Sequence, residues 1–155
     1  MRYWLFKTEP DAFSIDDLAQ RPDGTEGWDG VRNYQARNFM RDQMSVNDLA
    51  FIYHSSCKVP GIAGLAKVTQ TALVDPTQFE PESKYYDPKA TLEQPRWHMV
   101  ALTFVEKFNQ VLPLSMIKQQ PNITELGLVQ KGSRLSIMPV APNEFEWLLE
   151  LARKP

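Results

Sequence analysis

Trp28, on a glycine-bearing loop, is followed by Arg32, Arg37 and Arg41 across a loop-to-helix junction, and this stretch carries the densest chemistry in the chain. Asp29-Gly30 is turn chemistry, because Gly adopts φ > 0 without steric cost and Asp bonds its own backbone. Asn33 fits a helix N-cap, its side-chain oxygen taking an orphan N–H. Ala36, Phe39 and Met40 fall at i, i+3 and i+4 as a core-facing stripe, and Arg37 and Arg41 share another face. A flat apolar ring beside free backbone donors and guanidinium groups suits a planar, polar, phosphate-bearing ligand such as a nucleotide. Asp16, Asp17, Asp23, Glu26 and Asp29 precede the arginines, so a solvated face of alternating charge is the competing reading.

Two further clusters could do chemistry. Lys7-Thr8-Glu9 sets an amine, a hydroxyl and a carboxylate at the end of an apolar run. A lysine of lowered pKa could activate the threonine as a nucleophile; local backbone bonding at a strand end is the plainer account. Tyr53-His54-Ser55-Ser56 ends another apolar run with groups able to read a base edge or a sugar, although a satisfied core histidine explains His54 as well. Trp4 and Trp147 sit in apolar runs and are expected in the core, whereas Trp97 follows a long polar stretch. Arg134 heads the final apolar run and could meet a phosphate or a carboxylate. His54, His98 and Cys57 are too scattered for a zinc site, so no metal is expected. No phosphate-binding glycine motif and no Gly-x-Ser-x-Gly elbow occur, and no cofactor is expected.

These residues need positioning elements. Tyr3 to Lys7 reads as a buried strand, and Ser14 with Asp17 as a capping box opening a short helix through Leu18. The stretch from Arg21 to Val31 has no periodicity and reads as loop. Leu49–His54 and Gly61–Val68 read as a hairpin, with Gly61 and Gly64 marking a bulge or a close backbone approach. Val74 to Pro95 reads as loop, Trp97–Phe108 as a long strand, Pro113–Lys118 as a short helix and Leu135–Val140 as a last strand. Asn143–Arg153 reads as a helix with Phe145, Leu148, Leu149 and Ala152 on one face. Strands joined by short loops, with helices outside, give an α+β class: a mixed or antiparallel sheet, curled into a barrel, with flanking helices.

The 155 residues fit one domain able to bury a sizeable core. A net charge of −2 argues against bulk electrostatic capture of nucleic acid, but not against reading a single base with local charge. One cysteine excludes an intrachain disulfide and points to a reducing compartment. With no signal-like segment and no apolar run of spanning length, a soluble intracellular protein with no membrane partner is expected, cytoplasmic, or nuclear in a eukaryote.

Five stretches, in order and spanning nearly the whole chain, resemble the EVE domain family. They are Tyr3 to Pro10, Trp28 to Asn38, Tyr53-His54-Ser55, Tyr85-Tyr86-Asp87-Pro88-Lys89, and Ser133 to Val140. The resemblance implies a PUA-like fold over residues 1–155, similar to the YTH domain that holds a methylated adenine in an aromatic cage. It implies a non-catalytic module that recognises a modified base in DNA or RNA. Trp28 would form one wall of an aromatic pocket and Trp97 a second. Asn33 and the backbone around Lys7 and Thr8 would read the base edge, and His54 and Ser55 would lie at the floor or rim. In such a reader Arg32, Arg37, Arg41 and Arg134 are expected to hold the flanking phosphates. Some PUA-like relatives of the ASCH type imply an alternative, a small hydrolase acting on a modified nucleoside through Lys7, Thr8 and Glu9. A protein-interaction module is a third reading.

Overall fold

Along the first strand Trp4 and Phe6 pack to one side and Leu5 to the other, and all three are buried. That period of two sets a sheet covered on both faces, whose strands read as unbroken apolar runs. The computed structural model describes residues 1–155. Its strands are β1 (Tyr3–Thr8), β2 (Thr25–Gly27), β3 (Leu49–His54), β4 (Gly61–Val74), β5 (His98–Pro113) and β6 (Ile137–Val140). They lie in the order β2-β5-β4-β3-β1-β6. The β1–β3 pair is parallel and every other pair is antiparallel, so of the two expected arrangements the sheet is the mixed one. It stays open instead of closing into a barrel, since β2 and β6 each have one neighbour. Pro139 sits on β6, an edge strand where a missing N–H is tolerated.

The helices α1 (Ile15–Gln20) and α2 (Tyr34–Asn38) cover one face and α3 (Leu114–Lys118) and α4 (Pro142–Ala152) the other. Ser14 and Asp17 form the reciprocal capping box at α1. Asn33 caps α2, its Oδ1 accepting from the Ala36 N–H at 3.0 Å. The turn after α2 widens to a π-helix at Phe39–Gln43, which turns Met40 into the core. Phe145, Leu148 and Ala152 of α4 are buried on the opposite face, and Glu106 of β5 pairs with Arg153 at 2.8 Å.

Gly61 and Gly64 mark close approach. A Cβ at Gly61 would lie 2.1 Å from the Leu112 carbonyl oxygen, and one at Gly64 would lie 2.7 Å from that of Glu106. The β4–β5 register shifts between Ile62 and Gly64, as a bulge requires. Three expectations change. β2 forms within the stretch read as loop, and β4 and β5 run on to Val74 and Pro113. Trp147 is not core: it is 41% exposed, with its indole N–H donating to Gln120. No helix is long and apolar enough to cross a membrane.

Candidate functional site

The carboxyl end of β1 brings Lys7, Thr8 and Glu9 to the mouth of a cavity of about 660 Å³. Phe13, ahead of α1, and the turn after β2 line it further, and Lys84 and Tyr85 reach in from the long β4–β5 connection. Ser136 completes the rim beside β6. The Ser136 carbonyl accepts from the Lys7 N–H at 2.7 Å, which ties that rim to β1.

Trp28 is half-buried on the cavity wall. Its ring meets Phe6 at 5.4 Å and Phe13 at 5.7 Å, with interplanar angles of 85° and 80°. Two edge-type contacts hold the indole in one orientation. Its backbone N–H donates to Val100 of β5 at 2.8 Å, so the sheet edge sets its position. Arg21 lies over Phe13 at 5.2 Å and pairs with Glu26 at 2.7 Å.

Opposite, Tyr85 lies against Gly30, which has φ of +79°. Arg32 joins these two walls. Its Nε and Nη2 donate to the Tyr85 carbonyl at 3.0 and 2.7 Å. Its Nη1 donates to the Val31 carbonyl and to Asp75 at 3.0 Å each, and its Nη2 also reaches Thr77 at 3.1 Å. All three guanidinium nitrogens are committed within the fold, so Arg32 is a strut between loops. Asp75 is fully buried and also accepts from the Gly30 and Thr77 N–H groups at 2.8 Å. Burial alone would raise its carboxyl pKa, but the hydrogen bonds from Thr77, Gly30 and Arg32 outweigh burial and hold it below the usual range. Gln78 fixes the same connection, donating to the Asp75 and Trp97 carbonyls and accepting from the Arg96 and Trp97 N–H groups.

Charge in the cavity is poised by burial. Burial pulls the Lys7 amine below its ordinary value. Burial, reinforced by Asp75 and Glu26, pushes the Asp29 carboxyl above its own. The Thr8 hydroxyl donates to the Phe13 carbonyl at 2.7 Å, so its proton is held by main chain.

Of the expected site residues, Trp28, Lys7, Thr8 and Arg32 meet in this cavity, and Glu9 of the nucleophile cluster joins them. Asn33, His54, Ser55, Trp97, Arg37, Arg41 and Arg134 do not line it. Asn33 serves as the α2 cap. His54 Nε2 accepts from the Ile15 N–H at 3.1 Å, and the Ser55 N–H donates to the Thr8 carbonyl at 2.9 Å. Trp97 is buried behind the strut, stacked on Tyr34 at 4.8 Å and donating to Asp87 at 2.8 Å. Arg37 bonds Asn38 and the Arg96 carbonyl, and Arg41 pairs with Asp42. Arg134 is exposed and unpaired. Sequence reasoning missed Phe13, Glu26, Asp29, Tyr85 and Ser136 as cavity residues. Tyr85 carried a signal, since it opens one of the five resembling stretches.

Comparison with known proteins bears on the family and the fold. A protein of Pseudomonas syringae of known crystal structure is 52% identical, with a TM-score of 0.92 over 97% of this chain and 99% of that one. The human THYN1 protein, solved in complex with 5-methylcytosine-containing DNA, is 42% identical, with a TM-score of 0.89 over 100% of this chain and 99% of that one. Thymocyte nuclear protein 1 of Danio rerio is 42% identical over 96% of this chain and 71% of its own length. The EVE domain family profile matches residues 2–151. With the open mixed sheet and flanking helices of the PUA-like type, the chain belongs to the EVE domain family.

Proposed function

We propose that this chain is a non-catalytic reader that takes one modified nucleobase into the cavity beside Trp28, with 5-methylcytosine in DNA as the first ligand to test. The observation that carries the reading is an orientation-locked indole on the wall of a cavity of about 660 Å³ that is also lined by polar groups, Lys7, Asp29 and Ser136 among them. Pockets for small ligands span roughly 300–1,000 Å³ and combine apolar walls with a few placed polar groups. The relative solved with 5-methylcytosine-containing DNA supports a methylated base as occupant.

The discrimination rests on the methyl group. One extra methyl in an apolar pocket gives on the order of 10- to 200-fold selectivity. A base must leave its stack to enter, which costs a few kcal/mol in a duplex, so single strands bind more tightly. Lys84 at the mouth and Arg134, two residues before Ser136, meet the flanking phosphates.

The test is equilibrium binding of short single strands that differ only at one cytosine. Wild type favours the 5-methylcytosine strand by roughly tenfold or more. Trp28→Ala loses roughly tenfold in affinity with its fold intact, as lost base stacking requires. Equal binding by Trp28→Ala and wild type would overturn the reading.

A further inference from the structure

We propose that Asp29 makes the cavity select bases that carry an exocyclic amino group over bases that carry an oxygen at the same position. The inference rests on the reading of the cavity as a base pocket and names what that pocket accepts. 5-Methylcytosine and thymine carry the same 5-methyl and offer nearly the same face to an indole. Trp28 therefore cannot tell them apart, and a reader without a polar device would bind both. At position 4 they present an amino donor in one and a carbonyl acceptor in the other, and at N3 an acceptor in one and an N–H donor in the other, so it is at position 4 that a carboxylate favours 5-methylcytosine.

Asp29 is placed to read that difference. It follows Trp28 directly and lines the same cavity. Its side chain is partly exposed on the cavity wall and makes no hydrogen bond or ion pair, whereas the neighbouring Glu26 is held by Arg21 at 2.7 Å. The turn that aims it is fixed, since the Asp29 N–H donates to the Gly27 carbonyl at 3.0 Å and the Gly30 N–H to Asp75 at 2.8 Å. An ionised carboxylate only accepts hydrogen bonds. It pairs with an amino N–H and repels a carbonyl oxygen. Burial and the nearby Asp75 and Glu26 already make its charge unfavourable, as its raised pKa records. A ligand amino group relieves that cost, and a ligand oxygen adds to it.

The experiment compares three single strands, identical except for cytosine, 5-methylcytosine or thymine at one position, at pH 8. Wild type binds the 5-methylcytosine strand at least about tenfold more tightly than the thymine strand, the scale of one charge-assisted hydrogen bond. In Asp29→Asn the side-chain amide can donate to the thymine oxygen, and the two affinities converge to within about threefold. Asp29→Ala, which removes the acceptor without adding a donor, gives the same convergence. In both variants the preference for 5-methylcytosine over cytosine persists, because the methyl contact is untouched. Wild type binding the 5-methylcytosine and thymine strands equally, or both variants keeping the wild-type ratio, overturns the inference while leaving the base pocket in place. Loss of the pocket itself reads out separately, as Trp28→Ala binding like wild type.

Discussion

The Tyr85 ring occupies the space that a side chain at Gly30 would need: a Cβ built there lies 2.7 Å from two ring carbons. Gly30 also has φ of +79°, a conformation strained for any residue with a Cβ. Gly30→Ala therefore meets two penalties, backbone strain of about 1–3 kcal/mol and displacement of the ring. Urea unfolding will show a loss of at least that strain. Adding Tyr85→Ala to Gly30→Ala recovers the steric part alone, so the two substitutions couple in a double-mutant cycle. Simple additivity would show that the contact carries no energy.

Arg32 has nothing left to offer a phosphate. Arg32→Ala leaves the Asp75 carboxylate buried without its cation, a change that costs about 3 kcal/mol. Its effect is on stability, while the salt dependence of the proposed DNA binding keeps the wild-type slope. Arg134→Ala behaves in the opposite way, leaving stability unchanged and lowering the log–log salt slope by about 1. Binding measured across a salt series separates the two. A shallower slope in Arg32→Ala would return that residue to the phosphate-contacting set.

His54 makes stability depend on pH. Its Nε2 accepts from the Ile15 N–H, so the folded state needs the neutral ring, and burial lowers its pKa from about 6.5. Between the folded and unfolded values the unfolded chain binds more protons. Stability is complete above pH 6.5 or so and is lost as pH falls through that value. Gln in place of His54 can accept the same hydrogen bond without titrating. His98, whose pKa burial also lowers, stays in both proteins. Urea unfolding at pH 8 and pH 5 then shows a smaller acid-induced loss in His54→Gln than in wild type, and equal losses would refute the assignment.

Two tryptophans in similar apolar runs differ in energetic weight. Trp4 is 1% exposed, and its indole N–H donates to buried Asp48 at 3.0 Å. Trp4→Ala costs about 3–5 kcal/mol. Trp147→Ala costs under about 1 kcal/mol, since much of the ring is already in water. Thermal unfolding of the pair checks this, and comparable losses would contradict the placement of Trp147.

What was legible in the sequence was local. The Ser14–Asp17 box and the Asn33 cap follow from side chains bonding backbone three residues away. The apolar stripe of α4 carries its own period, and Trp147 lies off that stripe, a signal that its apolar neighbours masked. What was not legible depends on distant partners. Arg32 reads as a free cation until Asp75, Thr77 and Tyr85 are brought to it, and all three lie in a stretch that reads only as loop. Trp97 reads as a cage wall until the same connection folds over it and the Asp87 carboxylate takes its N–H. β2 has three residues, too few to show alternation, yet its pairing with β5 sets the position of Trp28. Trp28, Lys7 and Thr8, each singled out within its own segment, line the cavity, whereas the residues contributed where two loops meet stayed hidden.

The cavity is assembled from stretches near both ends of the chain and from its middle, because parallel β1 lies between β3 and the late strand β6. No fragment contains it, and it comes into being only when the long-range strand pairings are complete. An occupant thus favours the finished molecule over every partly folded form, and occupancy registers in the unfolding of the entire chain. At one hundred times its dissociation constant a bound oligonucleotide adds about 2.7 kcal/mol to the unfolding free energy. Under the proposed reader function a melting curve alone ranks decorated bases, with no label on either component.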